Sequence, residues 1–406
     1  MRVDRRFILG AIGFSLVVVQ ASHGGGIEVP MQGARAAGQA DAFTAQADDA
    51  SAIYYNPAGL TQLKGTQIEA GAYLLNAEFT LTRDTGPEEQ MQKNTVLPHL
   101  YIASDFGTEK WRFGLGVNNV FGLNEDWDDD GSLRLIVNEA QLALINIAPT
   151  VAYQFTPQFS AGVALNIYYG RLNLTRNAIV AAPPVPEGQF DYDGEAFAFG
   201  VTPGMLWKIN KRHAIGAYYR SPFNMEFEGD ASVEVAGNAV AGPSETKAKL
   251  DFPQSIGVGY AFRPVERLKL ELDVVWTDWD TVDQLSFSSS NAAFDNQAMP
   301  ADWDSGFTYR FGTEYQVNTN WTLRAGYAYS ENAVPDATFS PIIPDSNYHL
   351  FSLGVGYGTE RWGINLAGQY IHRESHEVSG SVYSPLVDGR WENEMFGLMA
   401  TFSLKL

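Results

Sequence analysis

The 406-residue chain contains no cysteine, so it has neither a disulfide framework nor a cysteine nucleophile or thiolate metal site. Only 18% of its residues are charged, which is little for the surface of a soluble chain of this length. Basic residues are few: 27 Lys and Arg stand against 47 Asp and Glu, for a net charge of −20. Because binding to nucleic acid needs a basic face that replaces phosphate counterions, this acidity argues against a nucleic-acid partner.

Sequence motifs of common enzymes are missing as well. The chain has no Gly-x-Ser-x-Gly elbow and no H-E-x-x-H pair. His372 and His376 would lie about 13 Å apart on one strand face, too far to share a metal ion. The acidic stretch 126–131 has oxygen ligands for Ca²⁺, although a solvated loop that bridges lipopolysaccharide phosphates through divalent ions suits it better. We therefore expect no catalytic residue, no cofactor and no resident metal, with an outer-membrane hydrolase as the remaining enzymatic alternative.

Long apolar runs are scarce, and the clearest one covers residues 7–19. It is too short to span a bilayer, follows three arginines and precedes small residues, as in a secretory signal peptide. We expect residues 1–23 to be this signal and the mature chain to leave the cytoplasm. No later stretch reaches 18 consecutive apolar residues, so the sequence predicts no transmembrane helix.

The sequence instead contains a recurring two-residue alternation between large apolar and small or polar side chains. Clear examples are residues 256–263, 268–277, 321–330 and 396–406. Successive strand side chains point to opposite faces, so each segment has one apolar face. A soluble β-sandwich would bury these faces together, whereas an outer-membrane barrel would turn them toward lipid.

Three observations favour the membrane barrel over the sandwich. The signal peptide exports the chain, and tryptophans cluster near segment ends as an interfacial girdle requires. The opposite faces carry charges that would be costly in a sandwich core but can pair in a lumen. The tryptophans are Trp111, Trp207, Trp276, Trp279, Trp321, Trp362 and Trp391, and the charges include Glu271, Asp273, Arg310 and Arg324. We count about fourteen strands, which predicts an all-β, antiparallel transmembrane barrel over residues 65–406.

Connections between the strands are expected to differ at the two ends of the barrel. Tight turns at 107–110 and 156–158 would face the periplasm. Longer polar connections would be extracellular loops, and examples are 83–95, 123–137, 178–191, 229–246, 283–301 and 331–346.

Residues 24–64 precede the first strand, are rich in Gly and Ala, and lack alternation. A fourteen-strand lumen leaks unless something fills it, so we expect this segment to be an N-terminal hatch, or plug. Asn56 and Pro57 fix the backbone away from helix, and Asp48 and Asp49 are positioned to cap a short helix that starts near Ala50. The alternative is a helix cap and a turn that only lead into the first strand.

The stretch GQADAFTAQADDASAIYYNPAGLTQLKGTQIEAGA (38–72) resembles the plug segment of the FadL/TodX family of outer-membrane hydrocarbon transporters. That family has an Asn-Pro-Ala motif in its hatch, matched here by Asn56, Pro57 and Ala58. Later stretches resemble the family's strands and loops in the same order, so the resemblance covers nearly the whole mature chain. They are residues 215–230, 251–264, 272–282 and 320–357.

The resemblance implies a monomeric barrel in the outer membrane of a Gram-negative bacterium, surrounded by lipid and lipopolysaccharide. It implies passive transport of long-chain fatty acids or other hydrophobic small molecules. It also implies insertion by the barrel-assembly machinery, although Leu406 stands where such barrels commonly end in an aromatic residue. The alternatives are an aromatic hydrocarbon channel, a general porin and an adhesive or structural surface barrel.

The family pathway leads from a loop groove to an apolar pocket, and a hatch rearrangement then opens a lateral exit at a kinked third strand. The interrupted alternation at Asn118, Asn119 and Gly122 is the candidate kink. Candidate residues that line the groove and pocket are Phe121, Leu123, Phe339 and Ile342, and the hatch candidates are Asp48, Asp49, Asn56, Pro57 and Ala58.

A carboxylate substrate would need a cation, and the family places an arginine on the fifth strand, where Arg171 aligns. Alternation from Val163 onward turns Arg171 toward lipid unless a bulge near Gly170 switches the faces. Three other arginines, Arg220, Arg310 and Arg324, are expected to form lumen ion pairs that hold the hatch.

Overall fold

The computed structural model describes residues 26–84, 86–180 and 186–406, and strands form most of this part of the chain. The expected signal peptide, residues 1–23, lies outside the described residues. Among those that are described, no helix is long and apolar enough to cross a membrane.

The helices are α1 (Ala34–Ala37) and α2 (Ala52–Tyr55), with 3₁₀ helices at Pro57–Gln62, Trp279–Thr281 and Asp336–Thr338. The strands are β1 (Thr66–Thr82), β2 (Glu89–Ser104), β3 (Trp111–Asp126), β4 (Glu139–Gln154), β5 (Phe159–Ala178), β6 (Gly188–Lys208), β7 (His213–Arg220), β8 (Phe223–Val235), β9 (Asn238–Phe252), β10 (Ser255–Val265), β11 (Leu268–Thr277), β12 (Gln284–Ser289), β13 (Gln297–Pro300), β14 (Gly306–Gln316), β15 (Trp321–Ser330), β16 (Tyr348–Gly358), β17 (Trp362–Arg373), β18 (His376–Val378) and β19 (Gly389–Lys405).

These strands make one closed antiparallel barrel of fourteen wall strands, as the alternation predicted. The first strand, β1, pairs along its length with both β2 and β19, which closes the sheet. Five wall strands are each built from two consecutive segments: β7 with β8, β9 with β10, β11 with β12, β13 with β14, and β17 with β18. Closure leaves no sheet edge exposed to lipid along the β1 seam.

Prolines explain two of the breaks within wall strands. Pro222 separates β7 from β8, and Pro253 separates β9 from β10. Proline has no N–H to give to the ladder, so a continuous strand is interrupted at each. At the first break Ser221 maintains the pairing, because its N donates to Val201 O at 3.0 Å and its Oγ accepts from Val201 N at 2.9 Å.

The large apolar faces of the wall strands point outward, and the charged faces point inward, as expected for a membrane barrel. Leu272, Leu323 and Leu398 are exposed, whereas Glu271 and Asp273 are buried. The expected girdle needs one correction: Trp279 and Trp391 lie inside, 2% and 1% exposed. Trp279 follows the membrane part of β11 and Trp391 precedes that of β19, and both pack against aromatic side chains at the loop end instead.

Tight turns follow β2 and β4, at the places predicted, but most expected loops are shorter than predicted. The loop expected over 229–246 is wrong, because β8 and β9 form a hairpin through it. Their turn consists of Ala236 and Gly237, both with positive φ, the geometry of a two-residue hairpin turn. β2 likewise begins at Glu89, and β12 and β13 occupy much of 283–301. Above the bilayer the outward faces of these strands turn polar, as at Glu228, Asp230 and Glu234 of β8, so the apolar row that marks a lipid-facing strand is missing there.

Residues 26–64, here called the hatch, lie inside the barrel, and nearly all of them are buried. Glycines on the wall strands allow the hatch backbone to come close. A Cβ at Gly216 would lie 2.2 Å from Thr44 O, and one at Gly326 would lie 2.2 Å from the Gln39 carbonyl carbon. Any larger residue at these wall positions would push the hatch away.

Two buried carboxylates on β11 hold the centre of the hatch. Asp273 Oδ2 accepts from Phe43 N and Thr44 N, both at 3.0 Å. Two residues earlier, Glu271 accepts from Ala45 N at 2.6 Å and from Gln46 N at 2.9 Å. Because hydrogen bonds to charged acceptors are the strong ones, these four N–H groups fix the hatch against one wall strand.

A charged network joins the hatch to the neighbouring wall. Arg35 contacts Asp48 at 2.8 Å and Glu314 at 3.2 Å, and Lys269 contacts the same two acids at 2.7 and 2.8 Å. Arg324 completes the group at 2.7 Å from Glu314. Burial alone would raise the pKa of Asp48, but Arg35 and Lys269 lower it to about 2. The expected arginine pairs are therefore present for Arg324 and also for Arg220, which contacts Glu28 of the hatch at 3.4 Å. The pair expected for Arg310 is not observed among the described residues, where its Nη1 donates to the Asp41 carbonyl oxygen of the hatch at 3.5 Å.

The Asn-Pro-Ala motif is a hatch-to-wall connection. Asn56 is extended, as expected, and its Nδ2 donates to Thr44 O at 2.8 Å and to Met205 O of β6 at 2.9 Å. Its Oδ1 accepts from Ala58 N, and Pro57 then begins a 3₁₀ helix. Every hydrogen-bonding atom of this buried side chain is thus satisfied.

The helix expected near Ala50 begins instead at Ala52, and the two aspartates do not cap it. Asp49 Oδ1 accepts from Ser51 N at 3.0 Å, which makes a turn before the helix. Asp48 is engaged by Arg35 and Lys269, so its carboxylate faces the ion network rather than the helix N–H groups.

We expect Asn56→Ala to loosen the hatch while the barrel stays folded. The change removes three hydrogen bonds made by a buried side chain, at about 0.5–1.5 kcal/mol each. Hydrogen exchange should accelerate at residues 43–62 and stay unchanged in β1 and β19. Asn76→Ala removes an exposed cross-strand amide contact and is the control; equal exchange in both variants would contradict the anchoring role.

Candidate functional site

A groove of about 410 Å³ opens among the loop-side ends of β5, β6, β8, β9 and β12. Its walls are mainly apolar and aromatic, including Phe190, Phe287 and Phe294. The Phe190 ring meets both other rings, with centroids 6.4 and 6.1 Å apart. A concave apolar surface of this kind takes up hydrophobic ligands.

Arg176, near the end of β5, is the cation of this groove. Its guanidinium lies 5.3 Å from the Phe190 ring centroid, and its Nη1 donates weakly to Leu135 O at 3.5 Å. Its buried Nε has no hydrogen-bond partner, and none of the carboxylates that the structure describes pairs with it. The side chain therefore retains donors that an anionic group in the groove would satisfy.

A second, deeper cavity of about 80 Å³ lies between the groove and the hatch. Met299 lines both spaces, and Tyr383 lines the deeper one while acting electrostatically on Arg176. Burial raises the pKa of Tyr383, against the opposing effect of Arg176, so this phenol is neutral. The remaining lining is almost entirely aliphatic: Ile27, Leu123, Leu142, Leu172, Leu174, Leu250, Val282, Leu285, Val334, Ile342 and Ile343.

The wall has a gap between β2 and β3. These strands pair only from Leu100 opposite Val117 to Ser104 opposite Phe113. Residues 89–99 and 118–126 continue both strands, but no backbone pairing joins these two described ranges. On its other side β3 pairs with β4, with a register shift between Asn119 and Gly122. The predicted interruption at Asn118, Asn119 and Gly122 thus coincides with this gap.

The first residues of the hatch satisfy the backbone of β3 beside the gap. Val29 N donates to Val120 O at 2.9 Å, and Gly122 N donates to Ile27 O at 3.0 Å. Glu28 consequently lies opposite Phe121 as in an antiparallel bridge. We call residues 27–29 the gate segment, because they stand between the apolar cavity, which Ile27 lines, and the gap.

A belt of polar side chains marks the lower limit of the gap. It runs across five neighbouring wall strands through Tyr101, Asn118, Asn146, Asn166 and Thr202. Asn118 donates to Tyr101 at 3.2 Å, Asn146 donates to both neighbouring asparagines at 3.1 and 3.2 Å, and Asn166 donates to Thr202 at 2.8 Å. The belt bridges β2 and β3 where their backbone pairing ends and so fixes the gap's lower edge.

The expectation that Arg171 faces the lumen is corrected by the structure. Pairing of β5 with β4 and β6 continues without a shift through Gly170, so the bulge that would switch the faces is absent. Arg171 lies on the outer face, 51% exposed, and contacts Asp193 at 2.5 Å. It does not reach either cavity.

The four apolar candidates lie near the cavities but in different roles. Leu123 and Ile342 line the deeper cavity directly. Phe121 packs against Phe252, with ring centroids 5.1 Å apart, and so supports the gate segment's partner strand. Phe339 packs on Trp391 at 5.1 Å, under the loop that follows β18.

The sequence did not lead us to Arg176, although the alternation along β5 indicates that this residue faces inward. Leu172 and Leu174 are buried, and Arg176 shares their parity on β5, opposite to that of Arg171. Following the inward face to the end of the strand, rather than a family alignment, finds this residue.

A sequence model of the family described as outer membrane protein transport protein (OMPP1/FadL/TodX) matches residues 15–401. The long-chain fatty acid transport protein of Escherichia coli O6:H1 is 23% identical over 370 residues, covering 80% of this chain and 82% of the relative.

Solved structures give the same fold. A FadL homologue of Pseudomonas aeruginosa has a TM-score of 0.83 at 19% identity, with 94% of this chain and 99% of that chain covered. The Pseudomonas putida toluene transporter TodX has a TM-score of 0.72 at 19% identity, with 96% and 100% covered. At these identities the likeness establishes the fold of the wall.

Proposed function

The chain belongs to the OMPP1/FadL/TodX family and is an outer-membrane transporter of hydrophobic compounds; on that premise, we propose that it carries long-chain fatty acids. Arg176 is the observation that supports this substrate. An unpaired guanidinium at the floor of an apolar groove suits a carboxylate head whose alkyl tail lies among Phe190, Phe287 and Phe294. An uncharged hydrocarbon would form no charge-assisted hydrogen bond with that cation.

In the proposed path, the fatty acid first binds in the outer groove, where apolar burial contributes roughly 25 cal/mol per Å². The tail then enters the deeper aliphatic cavity past Met299. That cavity, about 80 Å³, is too small for a long alkyl chain until side chains or the gate segment move. Because the ligand is larger than this cavity, its arrival is coupled to displacement of the hatch.

Release is proposed through the gap between β2 and β3. The gate segment holds β3 with two backbone hydrogen bonds, each worth about 1 kcal/mol net. Glu28 adds a contact with Arg220 at 3.4 Å. Val29 O accepts from Gln32 Nε2, which also donates to Asn119 O of β3. Such weak attachments permit opening, and an apolar ligand then leaves sideways into lipid without crossing the periplasmic half of the hatch.

The second candidate substrate is a monoaromatic hydrocarbon. The deeper cavity favours it, because the lining carries no cation and a volume of about 80 Å³ has to grow less for a single ring than for a long alkyl chain. An engineered apolar cavity of about 150 Å³ binds benzene. In this case Arg176 would only shape the groove.

We also propose that the barrel acts as a monomer among lipid and lipopolysaccharide after insertion by the barrel-assembly machinery. Outward apolar side chains occur on wall strands all around the barrel, from Leu74 on β1 to Phe396 on β19. A contiguous lipid-facing belt suits an isolated barrel.

Oleate binding to the purified barrel in a nonionic detergent should weaken about tenfold to a hundredfold in Arg176→Gln, since a charge-assisted hydrogen bond is lost. Arg171→Gln is the matched control on the outer face of the same strand and should bind oleate like the wild type. Toluene binding should be the same in all three. Loss of oleate binding in the Arg171 variant alone would contradict the assignment, and toluene binding without oleate binding would select the second candidate.

A cysteine pair at Glu28 and Phe121 should lock the gate segment to β3, because the two residues form a close antiparallel bridge and the chain has no other cysteine. In the double variant we expect oleate uptake by cells to fall to background when oxidised and to recover on reduction.

Asn76→Cys with Asn94→Cys, which crosslinks the continuous β1–β2 pair, provides the control lock. Its uptake should not respond to oxidation. Uptake through an oxidised gate lock would contradict lateral release past the gate segment, whatever the substrate.

A further inference from the structure

The opposite end of the barrel has a cavity of about 570 Å³ that the transport path does not use. It lies between the hatch, at Ala45, Gln46 and Gln62, and the ends of β6, β7, β10 and β11. The tight turns and both ends of the wall, Thr66 and Leu406, are at this end, which therefore faces the periplasm.

Basic side chains collect around this cavity. Lys208 follows buried Leu206 on the inward face of β6, and Arg263 follows Gly259, which faces Thr44 of the hatch. Lys211 and Arg212 lie in the turn between β6 and β7. These four residues belong to neighbouring wall strands and line one side of the mouth.

Several inward-facing basic residues of the hatch and wall are neutralised by carboxylates, although none of the described carboxylates pairs with Arg176 or Arg310. Arg35, Arg220 and Arg324 all contact carboxylates of the hatch or wall. By contrast, the four cations at the mouth form no ion pair and no side-chain hydrogen bond with another described residue. They are Lys208, Lys211, Arg212 and Arg263. The positive charge at the mouth is therefore not neutralised by the protein.

The acids on the lining do not change this balance. Asp48 is held by Arg35 and Lys269, and Glu266 lies exposed in the turn after β10. Lys269 is likewise occupied by Asp48 and Glu314. Four unpaired cations thus face one free carboxylate in a chain whose net charge is −20.

We propose that this cavity is a binding site for a compact polyanion that carries phosphate or carboxylate groups and arrives from the periplasm. Concave sites lined by one sign of charge concentrate ligands of the opposite sign. Lysine and arginine donate charge-assisted hydrogen bonds to both kinds of anion. The rest of the acidic chain repels such ligands, which confines binding to this mouth.

The position of the cations selects the ligand class. Half-buried Lys208 and exposed Arg263 line the cavity beside the hatch rather than the lipid-facing wall. The hatch residues on the lining, Gln46, Asp48 and Gln62, are polar, unlike the aliphatic cavity near the loops. The site therefore suits a water-soluble anion and not the transported hydrophobic compound, and it is independent of the substrate proposed above.

Titration calorimetry with pyrophosphate and the purified full-length barrel in nonionic detergent tests the site. We expect saturable binding that weakens steeply with added salt. Lys208→Gln with Arg263→Gln should weaken it at least about tenfold, because charge-assisted hydrogen bonds are lost. Citrate in place of pyrophosphate separates a carboxylate ligand from a phosphate ligand, and binding of either supports the proposal.

Lys64→Gln with Lys110→Gln is the control, since it removes the same charge from exposed positions at this end, outside the cavity. It should leave binding unchanged, and oleate binding should confirm that both double variants are folded. Failure of both anions to bind the wild type would overturn the proposal. So would equal binding by the cavity variant, or an equal loss in the control, which would show only general charge attraction.

Discussion

The structure depends on one constraint: backbone N–H and C=O groups inside a bilayer must be paired, because lipid offers them no partner. The closed antiparallel wall meets this constraint through β1 and β19. Between β2 and β3 the wall strands do not pair along their whole length. There the gate segment supplies the hydrogen bonds, to Val120 and Gly122. The weakest section of the wall is therefore completed by the part of the chain that fills the lumen, so opening the wall and moving the hatch are one event.

The interior is divided by polarity along the barrel axis. Toward the loops, aromatic and aliphatic side chains line the groove and deeper cavity, with Arg176 as an unpaired cation between them. Toward the periplasm, carboxylates of β11 and the ion network around Glu314 hold the hatch. The hatch is thus firmly attached in the half that a hydrophobic ligand does not enter. It is lightly attached at the gate segment, where the ligand leaves.

Much of the fold could be predicted from the sequence, because lipid-facing strands have a strict alternation that 256–263 and 396–406 display plainly. Strands above the membrane were misread as loops, since the outward faces of β8 and β9 turn polar there, as at Glu228, Asp230 and Glu245, and the apolar row that marks a lipid-facing strand is missing. The hatch was located by its lack of alternation, and the kink by Asn118 and Gly122. The pairing of residues 27–29 with β3 joins parts of the chain far apart in sequence, and no local pattern encodes it. Arg171 was chosen over Arg176 because an alignment was preferred to strand parity.

The glycines that line the wall have a consequence for the order of folding. Gly216 and Gly326 let the hatch backbone touch the strands so closely that a Cβ would not fit between them. A segment fitted this tightly, and tied at several points to β11 and β6, cannot be threaded into a finished cylinder. We therefore expect the seam between the first and last strands to form around a hatch already in place, so that residues 26–64 act as a template during biogenesis before they act as a barrier.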